Sequence, residues 1–159
     1  MEYFLALLLN RSDVQKLLPM SKAIDVVEAA FGELAAGTAE MPDRTVMTDA
    51  EVGGWIAYMP AYLKSGGALG VKAVTVYKEN PSKFGIPTTV GTILVQDNKT
   101  GVVVAAMDGG LLTGIRTGAS SGVATRHLAR KDSKVAGVLG TGVMARSQVL
   151  AIAEVTNLE

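Results

Sequence analysis

An apolar run, Val135-Ala-Gly-Val-Leu139, passes directly into Gly140-Thr-Gly142-Val-Met-Ala145 and then into a helix-forming stretch. No other feature of the chain restricts its fold so tightly. A Gly-x-Gly-x-x-Ala turn between a strand and a helix opens a dinucleotide-binding βα unit, and each small residue has its own task. Gly140 permits the tight turn, Gly142 lets the backbone approach a pyrophosphate, and Ala145 lets helix and strand pack closely. The free N–H groups at the helix start then face the phosphates. A whole βαβ unit takes about 30 residues, and the acid that binds the ribose is expected about 20 residues past the glycines. The sequence runs only to Glu159. The expectation is therefore the first βα unit of a Rossmann fold without its second strand.

What precedes this unit reads differently. Phe4–Leu9 is a short apolar strand, too short to span a bilayer, and the acidic Glu2 is unlike a signal peptide. Ser12 is placed to cap a helical turn, Asp13–Leu18, and Ser21 a helix running to Ala36, with Gly37 as its stop. Ile24, Val27, Phe31 and Leu34 make one apolar stripe on that helix. Strands follow from Met41 to Met47, Gly54 to Met59 and Ala68 to Tyr77. Two prolines and Gly85 make 78–87 a loop. Val90–Gln96 and Val102–Met107 flank Asp97-Asn-Lys-Thr-Gly101 as a hairpin. From Thr117 to Arg130 a helix studded with small residues is expected. Its glycines cost about 1 kcal/mol each relative to alanine, and close approach to a sheet or cofactor is the usual compensation. The fold class is α/β: a mixed α/β substrate-binding and dimerisation domain over 1–115, then the start of a Rossmann domain over 116–159.

Fifteen basic and fifteen acidic residues cancel, with no basic run, so no nucleic-acid partner is expected. There is no cysteine, which excludes disulfides and thiolate metal sites. His127 has no partner at metal-ligand spacing, and no metal is expected. A mean hydropathy of +0.30 suggests some apolar surface reserved for a partner. No membrane association and a cytoplasmic location are expected.

One residue stands out before any comparison. Lys72 shares a strand face with Val74 and Val76, so it is either snorkelling or placed in a site. Burial near arginines would lower its pKa and make it a usable acid or base.

An ordered set of segments covering nearly the whole chain resembles the ornithine cyclodeaminase/μ-crystallin family. These are Met41-Pro-Asp-Arg44, Gly70-Val-Lys72, Gly85-Ile-Pro-Thr88, Asp97-x-x-Thr-Gly101, Met107-Asp-Gly109, Leu112-Thr-Gly-Ile-Arg-Thr-Gly-Ala119 and Leu128-Ala-Arg-Lys-Asp-Ser133. The resemblance implies NAD-dependent chemistry (NADP not excluded) on a small amino acid or imino acid, through an imine, in a homodimer. Ornithine cyclodeamination to proline and ammonia is the preferred reaction, with alanine dehydrogenase or ketimine reductase as alternatives. A non-catalytic amino-acid-binding or dimerisation module is the reading from another class.

The resemblance also distributes roles. Arg44, Lys72, Thr88 and Arg116 bind substrate, and Lys72 is the catalytic proton-transfer residue. Thr117 lies near the cofactor, and Gly140, Thr141, Gly142, Val143 and Met144 line the pyrophosphate. Arginine's planar fork suits a carboxylate. Arg116, read as preceding the small-residue helix, is electrostatically poor for a helix start, which favours ligand binding. Thr113 or Thr117 is read as that helix's cap. Many family members carry glutamine where Met144 stands. The family's catalytic aspartate has no counterpart in these 159 residues, so little or no turnover is expected of this chain by itself.

Overall fold

The computed structural model describes residues 6–159; Phe4 and Leu5 of the expected first strand lie outside them. The elements are β1 (Leu7–Leu9), α1 (Arg11–Leu17), α2 (Met20–Ala35), β2 (Ala39–Glu40), β3 (Thr45–Asp49), β4 (Gly54–Leu63), β5 (Ala68–Tyr77), α3 (Asn80–Phe84), β6 (Thr89–Asp97), β7 (Val103–Asp108), α4 (Gly109–Leu128) and α5 (Val143–Val155). They fall into two compact units. One holds the described residues through Val14 with Glu33–Gly110; the other holds Gln15–Gly32 with Leu111–Glu159.

The first unit is a seven-stranded mixed sheet in the order β1-β7-β6-β5-β4-β2, with β3 also on β4. Only β1 runs parallel to its neighbour; the other pairs are antiparallel. The two faces differ. Ala57, Val74 and Ala105 are buried on one face, which also carries Lys72 and, on its outer strands, the exposed Leu7 and Val46. The opposite face leaves Leu8, Met47, Tyr58, Val90 and Val104 exposed.

Three contacts fix this sheet's corners. Glu33 near the end of α2 accepts the N–H groups of Ser65 and Gly66, both at 2.9 Å, clamping the β4–β5 turn. Asp97 Oδ1 accepts the N–H and hydroxyl of Thr100 at 2.7 and 2.6 Å, while Gly101 takes the left-handed conformation (φ 74°) that closes the hairpin. The Asp-x-x-Thr-Gly segment is thus a turn held by its own side chains, and the hairpin lies as expected. At the exit of β7, a Cβ on Gly109 would meet the carbonyl carbon of Gly91 at 2.7 Å. Two backbones cross there, and only glycine fits.

The second unit packs Ala23 and Ile24 of α2 against Ala119 and Val123 of α4 and Ala151 of α5. The small residues of α4 let these helices touch. A Cβ on Gly118 would lie 2.4 Å from the carbonyl oxygen of Ser147, and one on Gly122 would lie 2.9 Å from Ile24. The glycines are offset by helix–helix approach within this unit.

Several expectations are corrected. Helix α4 begins at Gly109 rather than Thr117, because Gly109 serves close packing against Gly91 rather than breaking the chain. Thr113 and Thr117 are therefore internal and cap nothing, and Asp108 takes the position before the first helical residue. The cap of α1 is Asn10, whose Oδ1 accepts the N–H of Ser12 at 2.8 Å and of Asp13 at 3.1 Å. Ser21 lies inside α2, not before it. Part of the expected 78–87 loop is α3, started by Pro81. Residues 134–139 belong to no ladder, and Val135 and Leu139 face solvent. A parallel strand needs hydrogen-bonded neighbours, and no described strand lies beside this one.

Arg126 of α4 bonds Asp25 at 3.0 Å and also contacts Glu28, which His127 contacts as well. The His127 contact, then Arg126, holds the Glu28 carboxyl below its ordinary value. A carboxylate lowered in the folded state stabilises above its unfolded pKa and loses that contribution as pH falls through the folded value. This unit is thus expected to lose that contribution below about pH 5. In Glu28→Gln the slope of stability against pH should flatten in urea melts between about pH 5 and 3; an unchanged slope would remove Glu28 from the acid response.

Candidate active site

Strand register fixes the place of Lys72 and, one residue beyond a paired strand, the neighbourhood of Arg44. Lys72, half-buried in β5, sits opposite Met59 of β4 on one side and Ile93 of β6 on the other. Thr45 opens β3 opposite Tyr58. Arg44 is the residue before it, outside the paired register, and its strand lies two strands from that of Lys72. Two strand spacings separate the Arg44 and Lys72 backbones, about 10 Å, a gap that two long cationic side chains can close from either side. Arg44 is exposed and lies in the irregular segment before β3.

Thr88 does not join them. It lies just before β6, where its carbonyl accepts the N–H of Tyr77 at 2.9 Å, five residues along β5 from Lys72, or about 17 Å.

Arg116 and Thr117 belong to the second unit. Both lie in the interior of α4, so the helix-start argument for Arg116 does not hold. Arg116 is exposed and Thr117 half-buried. The Arg116 carbonyl accepts the Ser120 hydroxyl at 3.0 Å.

The glycine-rich turn has the geometry its residues dictate. Gly140 has φ 100°, in the left-handed region. A Cβ on Gly140 or Gly142 would find no neighbour within 4 Å, leaving the backbone open to approach. Gly142 is extended and α5 has no side-chain cap, so no side chain competes for its first N–H groups. A dinucleotide's phosphates fit this arrangement. Gly140 and Thr141 line a cavity of about 560 Å³ with Val138, Ala145, Arg146, Val149 and Leu150. Val143 and Met144 instead turn side-chain atoms toward Gly114 of α4, 3.5 and 4.0 Å from its Cβ position; what they can offer a phosphate is backbone. Arg146 was missed in the sequence. Its only mark there is that it is the one charged residue between Ala145 and Glu154.

Among the described residues no helix is long and apolar enough to cross a membrane.

Similar proteins place these features in a group. A Δ1-pyrroline-2-carboxylate reductase from Thermococcus litoralis, solved with NADH and L-proline, superposes with a TM-score of 0.90 at 51% identity. It covers 96% of this chain, which covers 47% of it. An archaeal alanine dehydrogenase, a dimer with bound NAD, gives 0.89 at 36% identity, over 96% of this chain and 46% of its own. A Δ1-pyrroline-2-carboxylate reductase of Bacillus cereus is 37% identical over 153 residues, 96% of this chain and 47% of the relative. The chain spans about half the length of the curated relatives it matches. A family model runs over residues 6–159, and the chain belongs to the ornithine cyclodeaminase/mu-crystallin family.

Proposed function

We propose that this chain supplies substrate- and dinucleotide-binding elements of an NADH-dependent imine reductase acting on a cyclic α-imino acid of the Δ1-pyrroline-2-carboxylate kind, giving proline. The observation that carries the reading is Lys72 on β5 with Arg44 immediately before β3, two strands away, in a chain 51% identical to a reductase solved with NADH and L-proline. That similarity favours imine reduction over ornithine cyclodeamination, the reaction first preferred, and alanine dehydrogenation remains the alternative within the family.

The bound dinucleotide supplies a hydride to C2 of the C=N bond. The chain's own residues supply the rest. Arg44 offers a planar fork to the substrate carboxylate, and Arg116 keeps the carboxylate-binding role that the family resemblance gives it. Lys72 delivers a proton to the imine nitrogen as C2 is reduced. Imino acid, NADH and one proton become proline and NAD⁺. Gly140, Thr141 and Gly142 receive the pyrophosphate, with Val143 and Met144 adding backbone N–H groups and Thr117 lying near the cofactor; Thr88 is assigned to the pocket more remotely. The exposed apolar sheet face opposite Lys72 is assigned to a second copy of the chain, in a homodimer.

The test is binding, then turnover. Calorimetry with NADH, NADPH and L-proline on the purified chain should show binding of a dinucleotide and of proline. With these 159 residues placed in the matching half of the Thermococcus litoralis reductase, NADH oxidation should then be compared between the pyrroline carboxylate and pyruvate with ammonia. Faster oxidation with pyruvate and ammonia would replace the reading with alanine dehydrogenase. Proline binding without any dinucleotide binding would replace it with a non-catalytic amino-acid-binding module.

A further inference from the structure

Arg146 is a charged residue that the roles above leave unused. It sits in the opening turns of α5, whose first turn carries no acidic residue. A cation there opposes the positive end of the helix dipole, so the helix gains nothing from it. The guanidinium is exposed, and among the described residues it makes no ion pair. It lines the same cavity of about 560 Å³ as Gly140 and Thr141. Val138, Ala145, Val149 and Leu150 make the remaining walls apolar, so this cavity has one cation and, at the turn, the open backbone with the Thr141 side chain as its polar features. A ligand that answers all three features carries an anion at the turn end and a flat, weakly polar body beyond it.

We propose that Arg146 is a binding residue for the dinucleotide's phosphates, its fork completing the cradle begun by Gly140, Thr141 and the uncapped start of α5. This rests on the dinucleotide reading above and adds a side-chain contact to what would otherwise be backbone contacts alone. A bidentate arginine–phosphate contact is charge-assisted and geometry-dependent. The charge therefore accounts for only part of the effect, and lysine recovers only part of it.

The experiment is calorimetric titration of the 159-residue chain with NADH and with ADP, which shares the pyrophosphate but lacks nicotinamide. Arg146→Gln should weaken both ligands by about tenfold, Arg146→Lys by less, and Arg130→Gln, an equal loss of charge outside this cavity, by less than about twofold. Circular dichroism confirms that each variant is folded, which an exposed position should permit. NADH and ADP binding to Arg146→Gln as to the unsubstituted chain would overturn the assignment and leave the proposed function standing. Equal weakening by Arg130→Gln would overturn it as a general charge effect. An unsubstituted chain that binds neither ligand would overturn the dinucleotide reading itself, and this contact with it.

Discussion

Gly118→Val is expected to destabilise the second unit by about 3 kcal/mol or more, at or beyond the upper end of ordinary overpacking. The reason is what the new side chain would strike. The Cβ position lies 2.4 Å from the Ser147 carbonyl oxygen and 2.6 Å from its carbon. Both atoms are helix backbone, so no rotamer change can yield. Relief requires α4 and α5 to separate, which opens the packing of Ala119, Val123 and Ala151. Gly118→Ala should cost about 1–3 kcal/mol for the same reason. Gly32 in α2 supplies the contrast. Nothing lies within 4 Å of its Cβ position, so Gly32→Ala should stabilise by about 1 kcal/mol through helix propensity. Urea melts followed by circular dichroism decide the matter: the two alanine variants should move in opposite directions. A stabilised Gly118→Ala would mean that the helices do not approach as described.

Lys72→Met should slow imine reduction by about 10²–10⁴-fold, the usual share of a positioned proton donor. Methionine keeps an unbranched apolar stem among Val74, Val76 and Met59, so the sheet is spared. The measurement needs a turning-over enzyme, provided by placing these 159 residues in the matching half of the Thermococcus litoralis reductase. Turnover should collapse while the NADH dissociation constant changes by less than about twofold, because the dinucleotide cradle is built from the Gly140–Met144 turn. Near-normal turnover in this variant would leave Lys72 a snorkelling strand residue and move proton delivery elsewhere.

Much of this fold is legible in the residues. Ala68–Tyr77 and Val143–Val155 coincide with β5 and α5, because one is a valine-rich apolar run bounded by Gly66-Gly67 and the other follows a turn that forces a helix start. The start of α4 is not legible. Gly109 and Gly110 look like a break, and only the crossing with Gly91, distant in sequence, shows that glycine serves contact there. Residues 134–139 carry every local mark of a strand. A strand is a relation to neighbours, however, and the sequence of one segment does not supply them. At the candidate site, Lys72 announces itself by its position on an apolar strand face. Its distance from Arg44 depends on β3–β4–β5 register, which turns and pairing decide together. Arg146 is hard to see for the opposite reason: a lone arginine on a helix is ordinary until the cavity beside it is known.

The solvent-facing Val135 and Leu139 also affect how the molecule behaves in a tube. An apolar segment that lies outside any ladder can serve as a template for another chain's edge. Concentrated samples should therefore scatter light and lose material over days. Lys placed at Val135 or Leu139 should keep them clear, since a charge on an open edge opposes edge-to-edge growth. Crystallisation and calorimetry both need high concentration, so in practice this stretch, more than the stability of either compact unit, sets the ceiling on sample handling.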